Sequence, residues 1–275
     1  MLREEILTLL AEASSKGWLM EPQAKQVFRL SGLDVTRFLW TKEIQKATRF
    51  AAEIGYPVVA KVVSPEVIHK SDVSGVALGI SGDKQLGEVF KEMSTIRGFQ
   101  GIIVEETVRG TELIVGMKMD RQFGPIIMFG IGGTAVEIYK DVAIRMAPLR
   151  EQDVGSMLMS LKARPLLEGY RGAEPISVEA LKKMLLTFCT TVCYALIIGN
   201  PEYQPPFVCK VVAGNTPHLP EGLRIFLHNL RDLLFNLAFI PHNTPPVYTS
   251  LFKYIAKKTG VKKWDRHHRP KSSKQ

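Results

Sequence analysis

Hydrophobic residues along the first 130 positions change their spacing several times, and each change marks a new element. Leu2, Ile6, Leu9 and Leu10 recur at helical spacing, which predicts a helix over residues 2–14 that ends at Ser15 to Gly17. A second helix is expected over Glu21 to Leu30, with Pro22 in its first turn, then an extended piece from Leu33 to Trp40. Thr41 is placed to cap a third helix whose buried stripe is Ile44, Ala47, Phe50, Ala51 and Ile54, closed by Gly55. The period then falls. Pro57 to Val63 is a β-branched run between Gly55 and Ser64-Pro65, the pattern of a buried strand. Val76 to Ile80 predicts another strand, and Leu86, Val89, Phe90 and Met93 form the inner face of a helix starting at Lys84. Further strands are expected at Gly101 to Glu105, Glu112 to Met117 and Pro125 to Phe129. Helices and strands mix without the strict alternation of a parallel sheet, so the class is α+β with neighbouring antiparallel strands.

Lys61 stands inside the central apolar run. A lysine there is costly to bury alone, so it either reaches out to a sheet edge or meets an anion. Past the Pro65 bend come His69, Lys70 and Asp72, then the small pair Ser74-Gly75. Point charges, donors and one titratable imidazole suit phosphate handling, although the same residues also read as a solvated loop. Glu105 and Glu106 end one strand and Glu112 opens the next, where carboxylates and backbone groups either meet a base and ribose or form a charged hairpin end. Gly130-Ile131-Gly132-Gly133 offers free amides to an oxyanion, but it is neither a P-loop nor the dinucleotide glycine pattern. Asp141, Arg145, Lys162, Arg164 and Arg171 are candidates for a phosphoryl clamp, or else solvated.

Composition adds a break in the chain. With 275 residues, 45% hydrophobic and 23% charged, the protein can bury a full core. No apolar run reaches the roughly 18 residues of a membrane span. Acids follow Met1 where a secretory signal has bases, so a cytoplasmic protein is expected. The net charge of +9 is concentrated late: residues 193–275 hold 12 Lys+Arg against 4 Asp+Glu, while residues 1–192 hold 24 against 23. Nine of 16 prolines and five of six histidines also follow Val192. Cys189 and Cys193 would share one helix face, which admits a metal pair, but with no further ligand at suitable spacing they read as core or free thiols.

Seven ordered stretches together resemble the ATP-grasp chain of the NDP-forming acyl-CoA synthetases, the family of ADP-forming acetate–CoA ligase. They are Leu19 to Lys25, Gly55 to Lys61, Ile68 to Asp72, Gly110 to Gly116, Phe123 to Pro125, Gly130 to Gly133, and Glu137 to Val142. The resemblance covers residues 1 to about 190. It implies an ATP-grasp fold of two subdomains closing on ATP or ADP, usually with Mg²⁺, and a partner subunit or domain that binds CoA and carries a phosphohistidine. By the same resemblance, Lys61 contacts nucleotide phosphates and Glu105, Glu106 and Val108 form the hinge at adenine. Glu112 faces the ribose, Gly132 and Gly133 lie near the transferred group, and His69 relays the phosphoryl group. Imidazole suits that relay because its neutral nitrogen is nucleophilic near pH 7.

Two departures qualify the resemblance. Ser74 stands where the family usually has glycine, and the Asp-x-Asn-Pro strand that holds Mg²⁺ in the family has no counterpart, Asn200-Pro201 being the nearest echo. The expected organisation is therefore an N-terminal helix over 1–17, an ATP-grasp domain over 18–192 lacking its usual metal-binding strand, and an atypical basic tail over 193–275. In that tail, Leu223, Phe226, Leu227, Leu230, Leu233, Leu234 and Leu237 form a helical stripe. A shift of reading frame near residues 190–195 accounts for the simultaneous changes, and the metal ligands stay unknown. The alternative to an active ligase subunit is a truncated or frameshifted copy that binds nucleotide without transferring phosphate. Binding of nucleic acid by the basic tail is the weaker third reading, because few aromatics interleave with its charges.

Overall fold

The computed structural model describes residues 4–14, 19–67, 70–120, 122–132, 141–198, 207–216 and 219–226. The N-terminal part contains helices α1 (Glu4–Ser14) and α2 (Glu21–Leu30), strand β1 (Phe38–Thr41), helix α3 (Ile44–Ile54), strands β2 (Val58–Val62) and β3 (Val76–Ile80), helix α4 (Asp83–Ser94) and strand β4 (Ile102–Glu106). Strands β1 to β4 form an antiparallel sheet in the order β1-β4-β2-β3. The second part contains β5 (Thr111–Asp120), β6 (Gly124–Ile131), β7 (Val142–Met146), helices α5 (Glu151–Ser160), α6 (Arg164–Leu167) and α7 (Val178–Ile198), then β8 (Phe207–Thr216) and β9 (Leu219–Phe226). Its strands make a second antiparallel sheet, ordered β7-β6-β5-β8-β9. The α+β expectation with antiparallel neighbours therefore holds.

All five residues of β2 are buried, because the strand is central in its sheet and covered on both faces. Val58, Ala60 and Val62 face α3 and α4 through Ala47, Ala51, Ile54, Leu86 and Met93. Each such large apolar side chain, fully buried, contributes about 1.5–3 kcal/mol. Alternation sends Lys61 to the other face, beside Val63 and Ile103, where Met20 just before α2 packs. In the second sheet, Leu113, Val115, Ile127 and Phe129 meet Leu181, Leu185 and Phe188 of α7.

Two local expectations are corrected. Thr41 does not cap α3, which begins at Ile44 with Glu43 in the cap position. Instead the Thr41 hydroxyl accepts the Glu43 N–H at 3.0 Å and turns the chain out of β1. The helical stripe expected from Leu223 onward is also interrupted, since Leu223 and Phe226 belong to β9, paired with Ala213 and Lys210 of β8. Backbone pairing to an exposed sheet edge overrides helical spacing there, and the rest of that stripe lies outside the described residues. The composition break near residue 193 is not a break in packing. Helix α7 runs on to Ile198, with Val192 and Cys193 both buried.

The turn that leads to β3 explains two small residues. Ser74 has φ 53°, in the left-handed region where a side chain is strained, so glycine would be the less strained choice there. At Gly75 a Cβ would lie 2.7 Å from Val62 Cγ1 and 2.9 Å from the Lys70 carbonyl oxygen. We expect Ser74→Gly to raise stability by about 0.5–1 kcal/mol, as strain relief outweighs the extra freedom of the unfolded chain. Gly75→Ala should lower it by about 1–3 kcal/mol through overpacking. Urea unfolding midpoints measure both, and a destabilising Ser74→Gly would show that the turn is unstrained.

Candidate functional site

Helix α2 carries the polar half of the site. Pro22 sits in its first turn and Gln23 accepts the Met20 N–H at 3.1 Å, which fixes the helix start over the first sheet. Ala24 and Phe28 enter the core under the second sheet, so Glu21 and Lys25, on the neighbouring face, are turned toward β2 and β4. There Lys61 Nζ lies 2.9 Å from Glu21 Oε1 and 2.6 Å from Glu105 Oε1. Lys70, in a 3₁₀ turn over Lys70–Val73, puts its Nζ 2.5 Å from the other Glu21 oxygen. Lys25 pairs with Glu105 and donates to the Thr36 hydroxyl at 2.7 Å, and that hydroxyl donates to Glu105 Oε2 at 2.9 Å.

Lys25 and Glu105 are fully buried and Lys61 is 1% exposed. Burial opposes charge on every member, and mutual attraction decides the outcome. Burial works to raise both carboxyls, but Lys61, Lys70 and Lys25 hold Glu21 well below the usual range, and Lys61 with Lys25 does the same for Glu105. For Lys61 burial lowers the amine, but Glu105 and Glu21 outweigh it and the value rises. Lys25 goes the other way: burial, reinforced by the charge of Lys61, outweighs Glu105 and lowers it. Three lysines thus surround two carboxylates, an excess of positive charge suited to an anionic ligand. The amine in the strand has met anions rather than reached an edge.

Among the other residues singled out by the sequence, Glu106 is tied to Arg37. Its Oε1 accepts the Arg37 backbone N–H at 2.9 Å, and its Oε2 lies 3.4 Å from Arg37 Nε. Val108 is half-buried on the four-residue connection between β4 and β5, where the Thr107 hydroxyl donates to the Pro57 carbonyl at 2.8 Å. Glu112 is exposed at the start of β5, and Gly132 donates its N–H to the Glu112 carbonyl at 2.7 Å. A Cβ at Gly132 would lie 2.9 Å from the Glu112 carbonyl carbon, so that approach requires glycine. The structure brings Lys61 and Glu105 together, and Glu112 and Gly132 together. His69 and Gly133 lie outside the described residues.

The suggested phosphoryl clamp does not converge. Asp141 accepts the N–H groups of Lys162 and Ala163, Arg145 donates to Ser156, Arg164 to Glu168, and Arg171 lies over the Tyr170 ring. Sequence reasoning gives Lys70 a place in the polar loop but no role to Glu21, Lys25 or Thr36. Lys25 was detectable as a charged residue four positions after Glu21, in step with buried Ala24 and Phe28, but nothing in the sequence tells which strand it meets.

The thiols of Cys189 and Cys193 are buried 4.0 Å apart, and Cys189 accepts the Leu149 N–H. Burial and the neighbouring sulfur raise Cys193, whereas that contact lowers Cys189. Among the described residues no three His, Cys, Asp or Glu side chains gather as metal ligands. Strand β8 does complete the sheet beside β5, yet its sequence, Phe-Val-Cys-Lys-Val-Val-Ala-Gly-Asn-Thr, holds no carboxylate. Lys210 stands in register with Ile114, and Val212 with Glu112. The described residues therefore do not fit a Mg²⁺ site of the expected kind. No described helix is long and apolar enough to cross a membrane.

Two antiparallel sheets with helices packed on them make an α+β class of fold, and the chain belongs to the ATP-grasp family, whose domain model matches residues 10–212. It is 43% identical over 176 residues to the beta subunit of ADP-forming acetate–CoA ligase I from Pyrococcus furiosus, covering 61% of this chain and 76% of that subunit. It is 41% identical over 191 residues to ADP-forming acetate–CoA ligase I of Archaeoglobus fulgidus, covering 66% of this chain but 27% of that longer protein. A solved structure of acetyl-coenzyme A synthetase 1 from Ca. Korarchaeum cryptofilum, in complex with coenzyme A and Mg-AMPPCP, has its phosphohistidine segment pointing towards the nucleotide-binding site. It superposes with a TM-score of 0.64 at 35% identity, covering 81% of this chain and all of that one.

The charge cluster makes a pH prediction. Because Glu21 and Glu105 are held below the ordinary carboxyl value of 4.5, their contribution is complete above about pH 4.5 and is lost as the pH falls through their folded values. Glu105→Gln should lower stability at pH 7 by about 3–5 kcal/mol, since it leaves buried lysines short of an anion. Its melting temperature should then fall less steeply than wild type below pH 4.5. Parallel acid titrations of the two melting curves would contradict this.

Proposed function

We propose that this chain is the ATP-grasp subunit of an ADP-forming acyl-CoA synthetase, acting with a CoA-binding partner that carries a phosphohistidine. The observation that carries the reading is the buried Lys25, Lys61 and Lys70 cluster. It lies beside the short connection between the sheets, in a chain whose relatives are ADP-forming acid–CoA ligases. In this reading, the Nζ groups of Lys61 and Lys70 neutralise nucleotide phosphates, the segment Glu105 to Val108 meets adenine, and Glu112 meets the ribose. Gly132 and Gly133 lie near the transferred group. His69, the nucleophile in this reading, directly precedes Lys70 in sequence.

The transfer has two displacements. The neutral His69 nitrogen attacks the partner's phosphohistidine, so one N–P bond forms as the other breaks. A terminal oxygen of ADP then attacks phospho-His69, giving ATP and free imidazole. The reverse order runs from ATP toward acyl-CoA. The chain's contribution is positioning and charge neutralisation, which dominate phosphoryl transfer.

A second reading, an inactive nucleotide-binding copy, is favoured by one observation: β8 occupies the place beside β5 without a carboxylate. The change in composition after Val192 supports a shifted reading frame as its origin. One experiment separates the two. Purified chain, partner subunit and Mg²⁺ are incubated with ATP labelled on its terminal phosphate. Acid-labile label should appear on the chain and vanish in His69→Ala. Lys61→Ala should weaken ATP binding at least about a hundredfold, by removing a buried charge-assisted contact. Nucleotide binding without label identifies the inactive copy, and loss of both overturns the nucleotide reading.

A further inference from the structure

Glu21 has both carboxylate oxygens occupied by lysines that come from different elements, Lys61 from the centre of β2 and Lys70 from the turn after the His69 segment. Two oxygens on one central atom, gripped by two ammonium groups, reproduce the way a phosphoryl group is held. We infer that Glu21 holds the place of a nucleotide phosphate between Lys61 and Lys70, and that ATP or ADP binds by displacing its carboxylate from them. This inference rests on the nucleotide-binding reading above.

Four further observations support it. Glu21 is the first residue of α2, followed by Pro22, so its side chain can swing away without disturbing the helical hydrogen bonds behind it. Its departure does not strand Lys61, because Glu105 Oε1 remains 2.6 Å away while Lys25 and Thr36 hold the other Glu105 oxygen. With Glu21 gone, Lys61 and Lys70 would each lose the oxygen that Glu21 gives them, and a phosphate supplies two such oxygens. The lysines also keep Glu21 ionised throughout the neutral range, so it competes as a full negative charge.

Glu21 thus acts as an internal competitor that sets affinity rather than as a contact that creates it, and the two roles predict opposite signs. A merely structural glutamate would weaken nucleotide binding when neutralised. A competitor strengthens it, because the fraction of chain competent to bind rises. Calorimetric titration of the full chain with ADP, and with pyrophosphate as a probe lacking base and ribose, should show Glu21→Gln binding both about tenfold more tightly than wild type. Glu21→Asp, one methylene shorter and able to reach only one lysine, should lie between them, and it carries the test if Glu21→Gln fails to melt cooperatively. Unchanged or weaker binding by a folded variant, with wild type binding ADP, overturns the inference alone. Failure of wild type and both variants to bind any nucleotide, with cooperative melting retained, overturns the nucleotide reading and the inference with it.

Discussion

Lys61 enters the interior on a strand with no exposed residue, and the cost of bringing that amine out of water constrains everything packed around it. A single buried carboxylate offsets only part of such a cost unless its remaining lone pairs are also satisfied. Here Glu105 answers Lys61 from the adjacent strand, Val59 and Glu105 being register partners one step along from Lys61 and Ile103. Glu105 in turn needs Lys25 and Thr36, and Lys61 draws in Glu21, which draws in Lys70. The network closes only if α2, β2, β4 and the turn before β3 are all in place. Burial of one charge thus fixes the relative positions of four elements.

Helix α2 can meet this demand because it has three working faces. Val27 packs with Ile6 and Leu10 of α1, and Phe28 sits 5.8 Å from the Phe188 ring of α7. The third face presents Glu21 and Lys25 to the first sheet. The helix therefore belongs to the hydrophobic core of the second sheet and to the charge cluster of the first. That arrangement places the lysine–carboxylate cluster at Glu105, two residues before the connection from β4 to β5, while the same helix is anchored in the other core.

Much of the fold was legible from periodicity, and Glu21–Leu30 was placed to the residue because Pro22 and the Ser31-Gly32 stop bracket a clear apolar stripe. Local signals failed where a tertiary partner decided the outcome. Thr41 has the chemistry of a cap but sits at a strand end, so its hydroxyl closes a turn. Leu223 and Phe226 have helical spacing but are captured by the edge of β8. In the site, Lys61 announced itself because an amine in an apolar run is anomalous on its own strand. Lys25 lies on an amphipathic helix, where a charged residue is ordinary, and its meeting with Glu105 spans 80 positions of sequence that no local pattern encodes.

Strand β8 shows how a segment can keep its place in the sheet without carrying a carboxylate. Sheet pairing uses backbone groups, which every residue except proline supplies in full, so any extended segment of suitable composition can fill the gap beside β5. The second core asks little more of that segment, with buried Val211 and Ala213 meeting the same cluster as Leu113 and Val115. Metal ligation makes the opposite demand, because a Mg²⁺ site of the expected kind needs one or two carboxylates at specific positions, which sheet pairing does not select. A changed sequence after α7 can therefore preserve the sheet, its core and the cationic cluster beside β2, while leaving β8 without a carboxylate. The lysine–carboxylate cluster is built from residues before 110, where three of the seven motifs lie, and it stands outside that change.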